Sequence, residues 1–319
     1  MDRRWWWKFS GVLVICLLWQ SSILGGTRKL AITLDDLPAT KGANSDLGTV
    51  RKFNRKILTA LKKHEAPAIG FVNESRLHVP GELDERIAIL QMWLDADMQL
   101  GNHTYSHPDL NTSSLREYQD DVLHGEVITR RLLQARGEKM EFFRFPFNHR
   151  GTDAATRDAF DLFLHERGYR VAPFTVEHVD YAFNAVYVAA RKGGDQKMMV
   201  KVRGAYLDFL DTVFDYFERF SLDLWEREIA QVFLIHVNEI NAECMDEMLQ
   251  RLEKRGYSFI SLETALEDDA YQAPDNYLGR FGPSWMHRWT LSRGLPMRRD
   301  EPDPPAFLWD AYQGLRTGG

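Results

Sequence analysis

The strongest constraint on this chain is an alternation of two patterns. Short apolar runs fall at residues 29–33, 68–74, 99–103, 142–145, 170–175, 231–237 and 257–260. Between them lie stretches with apolar residues at helical spacing, as at Val50, Phe53, Ile57, Leu58 and Leu61. Further helical stretches are read at 83–97, 115–136, 153–167, 182–191, 196–220 and 241–255, with Ser261 capping a short last helix. Gly137, Gly168 and Gly256 close three of them, as helix stops do. Strands that recur with helices between them run parallel, so the chain is expected to form an α/β sheet or barrel of about seven strands. The stretches at 182–191 and 196–220 follow one another without a strand and read as a helical insertion.

Composition narrows the partners. The chain has 319 residues, 44% hydrophobic and 27% charged, which excludes disorder for most of its length. A formal net charge of -6 leaves no basic excess for phosphates, so no nucleic-acid partner is expected. Residues 27–270 carry the alternation and form the expected main domain. Residues 271–319, rich in Pro, Gly and aromatics, read as an irregular C-terminal extension. Trp285 and Trp289 lie there four residues apart, either packed onto the domain or available to stack on sugar rings.

The N-terminus points to a compartment. Arg3, Arg4 and Lys8 precede the apolar run 9–18, and small and polar residues follow from Ser21 to Gly26. That order is expected of a signal peptide over residues 1–26. If the segment is retained, residues 5–24 would act as a membrane anchor. Ile15 before Cys16 argues against lipidation. Either outcome makes the protein extracytoplasmic: periplasmic, secreted or membrane-anchored. Removal of Cys16 leaves Cys244 alone, so no intramolecular disulfide is expected.

In parallel α/β folds, ligands bind beyond the carboxyl ends of the strands. Here those ends carry Asp35 and Asp36, His103 with His107, Arg144, and His236. Each has a structural reading as well. The acid pair can cap the next segment, Arg144 can serve an ion pair, and His236 can be a satisfied core histidine. Ten histidines give about 0.3 His-x-x-x-His pairs by chance, so that spacing alone decides little. Pro108 directly after His107 puts the pair on a loop. Convergence of two acids, three imidazoles and a guanidinium on four strand ends is the argument for a site.

Taken in order, these residues resemble the polysaccharide deacetylases, carbohydrate esterase family four with its NodB-homology domain. The resemblance spans roughly residues 30–266. It rests on Thr33-Leu34-Asp35-Asp36, His103-Thr104-Tyr105-Ser106-His107, Arg144-Phe145-Pro146-Phe147 and Leu234-Ile235-His236. The family's Asp-x-x-Asp-Trp is met by Glu177-His178-Val179-Asp180-Tyr181, with Tyr in place of Trp. The resemblance implies a distorted (β/α) barrel and a divalent metal on Asp36, His103 and His107. Zn2+ is expected, with Co2+, Mn2+ and Ni2+ as alternatives. It further implies Asp35 as general base held by Arg144, and His236 as general acid oriented by Asp180. The Phe147 N–H would hold the oxyanion, and Leu234 and Tyr181 would line the pocket. The expected activity is removal of acetyl groups, N-acetyl groups of an amino sugar first, from a carbohydrate. Competing expectations are a hydrolase of a non-sugar amide, a two-carboxylate glycosidase, and a silent carbohydrate-binding relic.

Overall fold

The computed structural model describes residues 28–40 and 46–317. The segment 1–26, expected as signal peptide or anchor, lies outside them. The first strand, β1 (Arg28–Leu37), is apolar and buried along nearly all its length. A strand flanked by strands on both edges and covered on both faces reads this way. Parallel neighbours follow: β2 (Ala68–Val72), β3 (Gln99–Asn102), β4 (Phe142–Phe143) and β5 (Arg170–Val171). On the other edge of β1 lies β7 (Gln231–His236), and beyond it β6 (Val176–Glu177). The path is β5-β4-β3-β2-β1-β7-β6, and β8 (Tyr257–Ile260) pairs with residues 28–31 of β1. Every pairing is parallel, as the alternation predicts. The sheet curls into a half-barrel with helices outside.

The helices of the domain are α1 (Leu47–Lys63), α2 (Leu83–Asp95), α3 (Leu115–His124), α4 (Val127–Ala135), α5 (Ala154–Glu166), α6 (Asp180–Lys192), α7 (Gln196–Trp225), α8 (Glu239–Lys254) and α9 (Leu262–Ala265). Side-chain caps from Asp46, Ser114, Asp153, Asp195, Asn238 and Ser261 start six of them. Two expectations change. The long helix read at 115–136 is two, broken at Gly125. A Cβ there would lie 2.4 Å from the Thr104 carbonyl carbon, so the break lets the chain pass against the loop after β3. The strand read at 170–175 is shorter than expected: β5 ends at Val171, and a separate strand, β6, begins only at Val176.

That second break leaves an open seam between the two ends of the sheet path. The C-terminal extension covers it. Far from being wholly irregular, residues 271–319 contain α10 (Trp285–Ser292) and α11 (Ala306–Thr317). The Trp285 N–H donates to the Phe174 carbonyl at 2.9 Å, and the two rings meet edge to face. Trp289 is buried against Trp225 and Tyr271. Both tryptophans therefore pack onto the domain and do not present faces to a sugar. Helix α11 lies along α6, where Tyr312 meets Tyr181 with ring centroids 5.8 Å apart. Cys244 is buried and unpaired. Among the described residues, no helix is long and apolar enough to cross a membrane.

If the extension is an integral part of the core, Trp289→Ala should cost about 3–5 kcal/mol, as buried aromatics do. Urea unfolding of the full chain measures this; a loss under about 1 kcal/mol would mark the extension as an appendage.

Candidate active site

Four strand ends converge at the carboxyl rim. Asp35 and Asp36 end β1, next to His236 at the end of β7; Asp35 and His236 are in register. His103 and His107 sit on the loop after β3, and Arg144 follows β4. Asp180 opens α6 directly after β6. All the residues singled out in the sequence come together here except Leu234, which lies one step deeper on the face of His236, in register with Thr33. Leu234 is buried, whereas Phe147 and Tyr181 are 54% and 43% exposed at the mouth.

The backbone that carries these residues is strained. Among the described residues, nine non-glycine residues have positive φ, and six of them are here: Asp36, Thr104, His107, Phe147, Asn148 and Val179. Such conformations persist only where surroundings impose them, and they concentrate at functional sites. The imposing contacts are identifiable. Asp121 of α3 accepts from the Tyr105 and Ser106 N–H groups at 2.8 and 2.9 Å. Asn102 accepts from the Thr104 N–H at 2.7 Å, and Asn73 donates to the His103 carbonyl at 2.5 Å.

One cluster has the composition of a cation site. Ligand atoms of Asp36, His103 and His107 all lie within 4.8 Å of one another. Asp36 Oδ1 is 3.8 Å from His103 Nε2 and 3.7 Å from His107 Nε2. His103 Nδ1 lies 2.8 Å from the Arg144 carbonyl, which can only accept, so Nδ1 carries the proton and Nε2 presents its lone pair inward. Burial lowers the pKa of both imidazoles, which keeps them neutral, the ligating form. Burial works to raise Asp36, but the Arg76 guanidinium and the neighbouring imidazoles hold it well below the usual carboxylate range. Asp36 Oδ1 is buried, with Arg76 Nη2 3.0 Å away as an ion pair. A buried anionic oxygen facing two neutral imidazoles is what a divalent cation would complete, and the three residues fit one.

Two further pairs flank the triad. Asp35 Oδ1 lies 3.5 Å from Arg144 Nη1, and both groups are buried. Burial pushes the Asp35 carboxyl up to about 6, against the pull of Arg144 and His236. Arg144 is fixed by a 3.0 Å bond to Thr33 Oγ1 and lies over the Phe71 ring. His236 donates from Nδ1 to Asp180 at 2.7 Å. The same carboxylate accepts from the His236 N–H, Asn238 and Asn241. Burial works to lower His236, but Asp180 outweighs it and the imidazole rises to about 10, hence protonated at neutral pH. Asn241 in turn accepts from Tyr206 of α7, so the helical insertion buttresses this pair.

Sequence reasoning missed Arg76. It follows β2 on a short 3₁₀ turn and reaches Asp36 Oδ1 at 3.0 Å while also donating to the Asp36 and Ala39 carbonyls. A lone arginine after a strand carries no signal of its own. Asn73, Asp121 and Asn241 were missed for the same reason, since each acts on another residue's backbone or carboxylate.

The half-barrel thus brings an Asp–His–His cluster that could hold a metal, an acid–guanidinium pair and an imidazole–carboxylate pair together at its rim. Residues 25–161 match the family model described as polysaccharide deacetylase. It is 21% identical over 232 residues to a peptidoglycan-N-acetylmuramic acid deacetylase of Bacillus subtilis, covering 72% of each chain. It is 30% identical over 146 residues to a peptidoglycan-N-acetylglucosamine deacetylase of Bacillus cereus, covering 46% of this chain and 45% of that one. The polysaccharide deacetylase Bc1974 from Bacillus cereus shares the fold, with a TM-score of 0.51 and 16% identity over 73% of this chain and 91% of that one.

The His236–Asp180 pair sets a pH signature. His236 binds its proton more tightly folded than unfolded, so the stability it adds is complete below the unperturbed pKa near 6.5 and is lost as pH rises through about 10. Asp180→Asn should bring the imidazole pKa down by several units and flatten that slope. NMR titration of the His236 ring checks it; an unmoved pKa would rule out Asp180 as the cause.

Proposed function

We propose that this protein is a metal-dependent hydrolase that removes acetyl groups, N-acetyl groups of an amino-sugar polymer or oligosaccharide, from an extracytoplasmic carbohydrate. The observation that carries the reading is the separation of tasks at the rim. Asp36, His103 and His107 bring one ligand atom each within 4.8 Å of one another, while Asp35 Oδ1 faces Arg144 and His236 is held by Asp180; Asp35 Oδ2 borders the cluster, 3.8 Å from His103 Nε2. The names of the relatives support the substrate class, and the basic and apolar N-terminus supports the location.

Asp36, His103 and His107 would hold the cation, expected to be Zn2+. When bound, it supplies Lewis acidity that polarises the acetyl carbonyl and acidifies water. The chain's own groups do the rest. Asp35, kept in place by Arg144, accepts the proton of the attacking water. The Phe147 N–H, on the turn beside His107, donates to the carbonyl oxygen as it gains charge. Phe147 and His107 rings lie 4.6 Å apart, so the turn is close enough for that role. His236 then hands its Nε2 proton to the departing amine, and Asp180 stabilises it until that moment. Leu234 forms an apolar floor for the acetyl methyl, and exposed Tyr181 a wall for the sugar ring. A glycosidase would need neither the imidazole pair nor a protonated His236. A binding relic would not be expected to retain all these groups.

Asp35→Asn should lower acetate release by at least about a thousandfold while the metal stays bound stoichiometrically, whereas His103→Ala should lose the metal. Acetate release from acetylated chitooligosaccharides and peptidoglycan fragments, with chelation, add-back and elemental analysis, checks both. Equal metal loss in the two variants would overturn the division between Asp35 and Asp36. Chelator-insensitive release would overturn the metal-dependent reading.

A further inference from the structure

The C-terminal extension reaches beyond the seam it covers, to the turn that carries Phe147. We propose that Arg288 of α10 is a positioning residue: it locks the Phe147–Asn148 turn so that the Phe147 N–H is held where the developing oxyanion will form. This rests on the role given to Phe147 above.

The turn needs an external hold. Phe147 has φ 55° and ψ 6°, and Asn148 has φ 54°. Two consecutive residues with side chains in the left-handed region are unfavourable and relax unless something opposes it. Within the turn, the Asn148 N–H donates to Phe145 and the His149 N–H to Pro146, at 3.0 and 3.1 Å. The Asn148 carbonyl instead accepts from Arg288 Nη2 at 2.5 Å.

Arg288 is itself immobilised, with 1% of its surface exposed. Its Nε donates to the Pro283 carbonyl at 3.0 Å and its Nη1 to Asp275 at 3.2 Å. Its guanidinium lies 4.5 Å from the Trp285 ring centre and 5.0 Å from that of Tyr277. Asp275 also accepts from Arg150 at 2.6 Å, and Arg150 is held by Asp161 of α5. A planar fork with each edge occupied fixes the carbonyl it grips better than a flexible ammonium could.

A second, independent contact presses on the same turn. A Cβ on Gly282 would lie 2.0 Å from the Phe147 carbonyl oxygen and 2.8 Å from the Asn148 Cβ. The extension's backbone thus touches the turn at a position where only glycine fits. Displacing the turn moves a donor that works only at hydrogen-bond distance, and misplacement of that size costs orders of magnitude in rate.

The experiment compares the full chain with Arg288→Met, Gly282→Ala and, as a packing control away from the turn, Trp289→Phe. Readouts are kcat and KM for acetate release from acetylated chitooligosaccharides and peptidoglycan fragments, metal content, melting temperature, and amide hydrogen exchange over residues 144–150. Arg288→Met and Gly282→Ala should lower kcat by about 10- to 100-fold with KM within about twofold and metal unchanged. Both should raise exchange over 144–150 by about tenfold or more. Trp289→Phe should lower the melting temperature and leave kcat and that exchange unchanged. Unchanged exchange in both turn variants, with an active wild type, would overturn the Arg288 anchor alone. So would a kcat loss in Trp289→Phe that matches theirs. An inactive wild type on every acetylated substrate would instead defeat the deacetylase reading, and the oxyanion role with it.

Discussion

The structure turns on two adjacent carboxylates near the end of β1, the longest of the described strands. Burying one such charge costs several kcal/mol unless it is compensated, and Asp35 and Asp36 are both buried. They are compensated separately. Asp35 faces Arg144, carried in from the end of β4, and Asp36 faces Arg76, carried in from the end of β2. Both carboxylates border the same imidazole, each 3.8 Å from His103 Nε2, but they face different guanidiniums. One strand end thus serves two environments. Asp35 is pushed up toward neutrality by burial, and Asp36 is held firmly ionised by cations. The two acids are thereby made fit for different work.

The rest of the fold serves that separation. Parallel pairing of β7 with β1 sets His236 alongside Asp35, and β6 on its far side delivers Asp180 to His236. The loop after β3 brings two neutral imidazoles to Asp36, pinned by Asp121, Asn102 and Asn73. The insertion α6–α7 and the extension α10–α11 sit outside the sheet yet touch its chemistry. Tyr206 holds Asn241, which donates to Asp180, and Arg288 holds Asn148, which follows Phe147. Elements that look peripheral in chain order supply the second layer of contacts.

Much of this was legible in the chain. Among the described residues, seven of the eight strands overlap apolar runs, and the exception, β6, is a two-residue strand just past the run at 170–175. The residues at the strand ends were legible because Asp, His and Arg at the close of an apolar run are costly without a task. What stayed hidden depends on contacts between distant segments. Gly125 looks like a tolerable helix residue until the loop carrying Thr104 passes within reach of it. The extension reads as irregular because Pro283 and Gly282 break its pattern, although Trp285 and Trp289 bury it firmly. Arg76 and Arg288 are ordinary arginines in sequence, and only the fold shows which carboxylate or carbonyl each one meets.

The central claim is that Asp36, His103 and His107 hold one divalent cation while Asp35 stays free to move a proton. Anomalous diffraction at the metal edge, from crystals of the full-length or processed chain grown with Zn2+, tests it directly. The account predicts a single strong peak bonded to an Asp36 carboxylate oxygen and to Nε2 of both imidazoles, with Asp35 outside bonding distance. No peak at that site, or a peak bonded to Asp35 in place of Asp36, would contradict it.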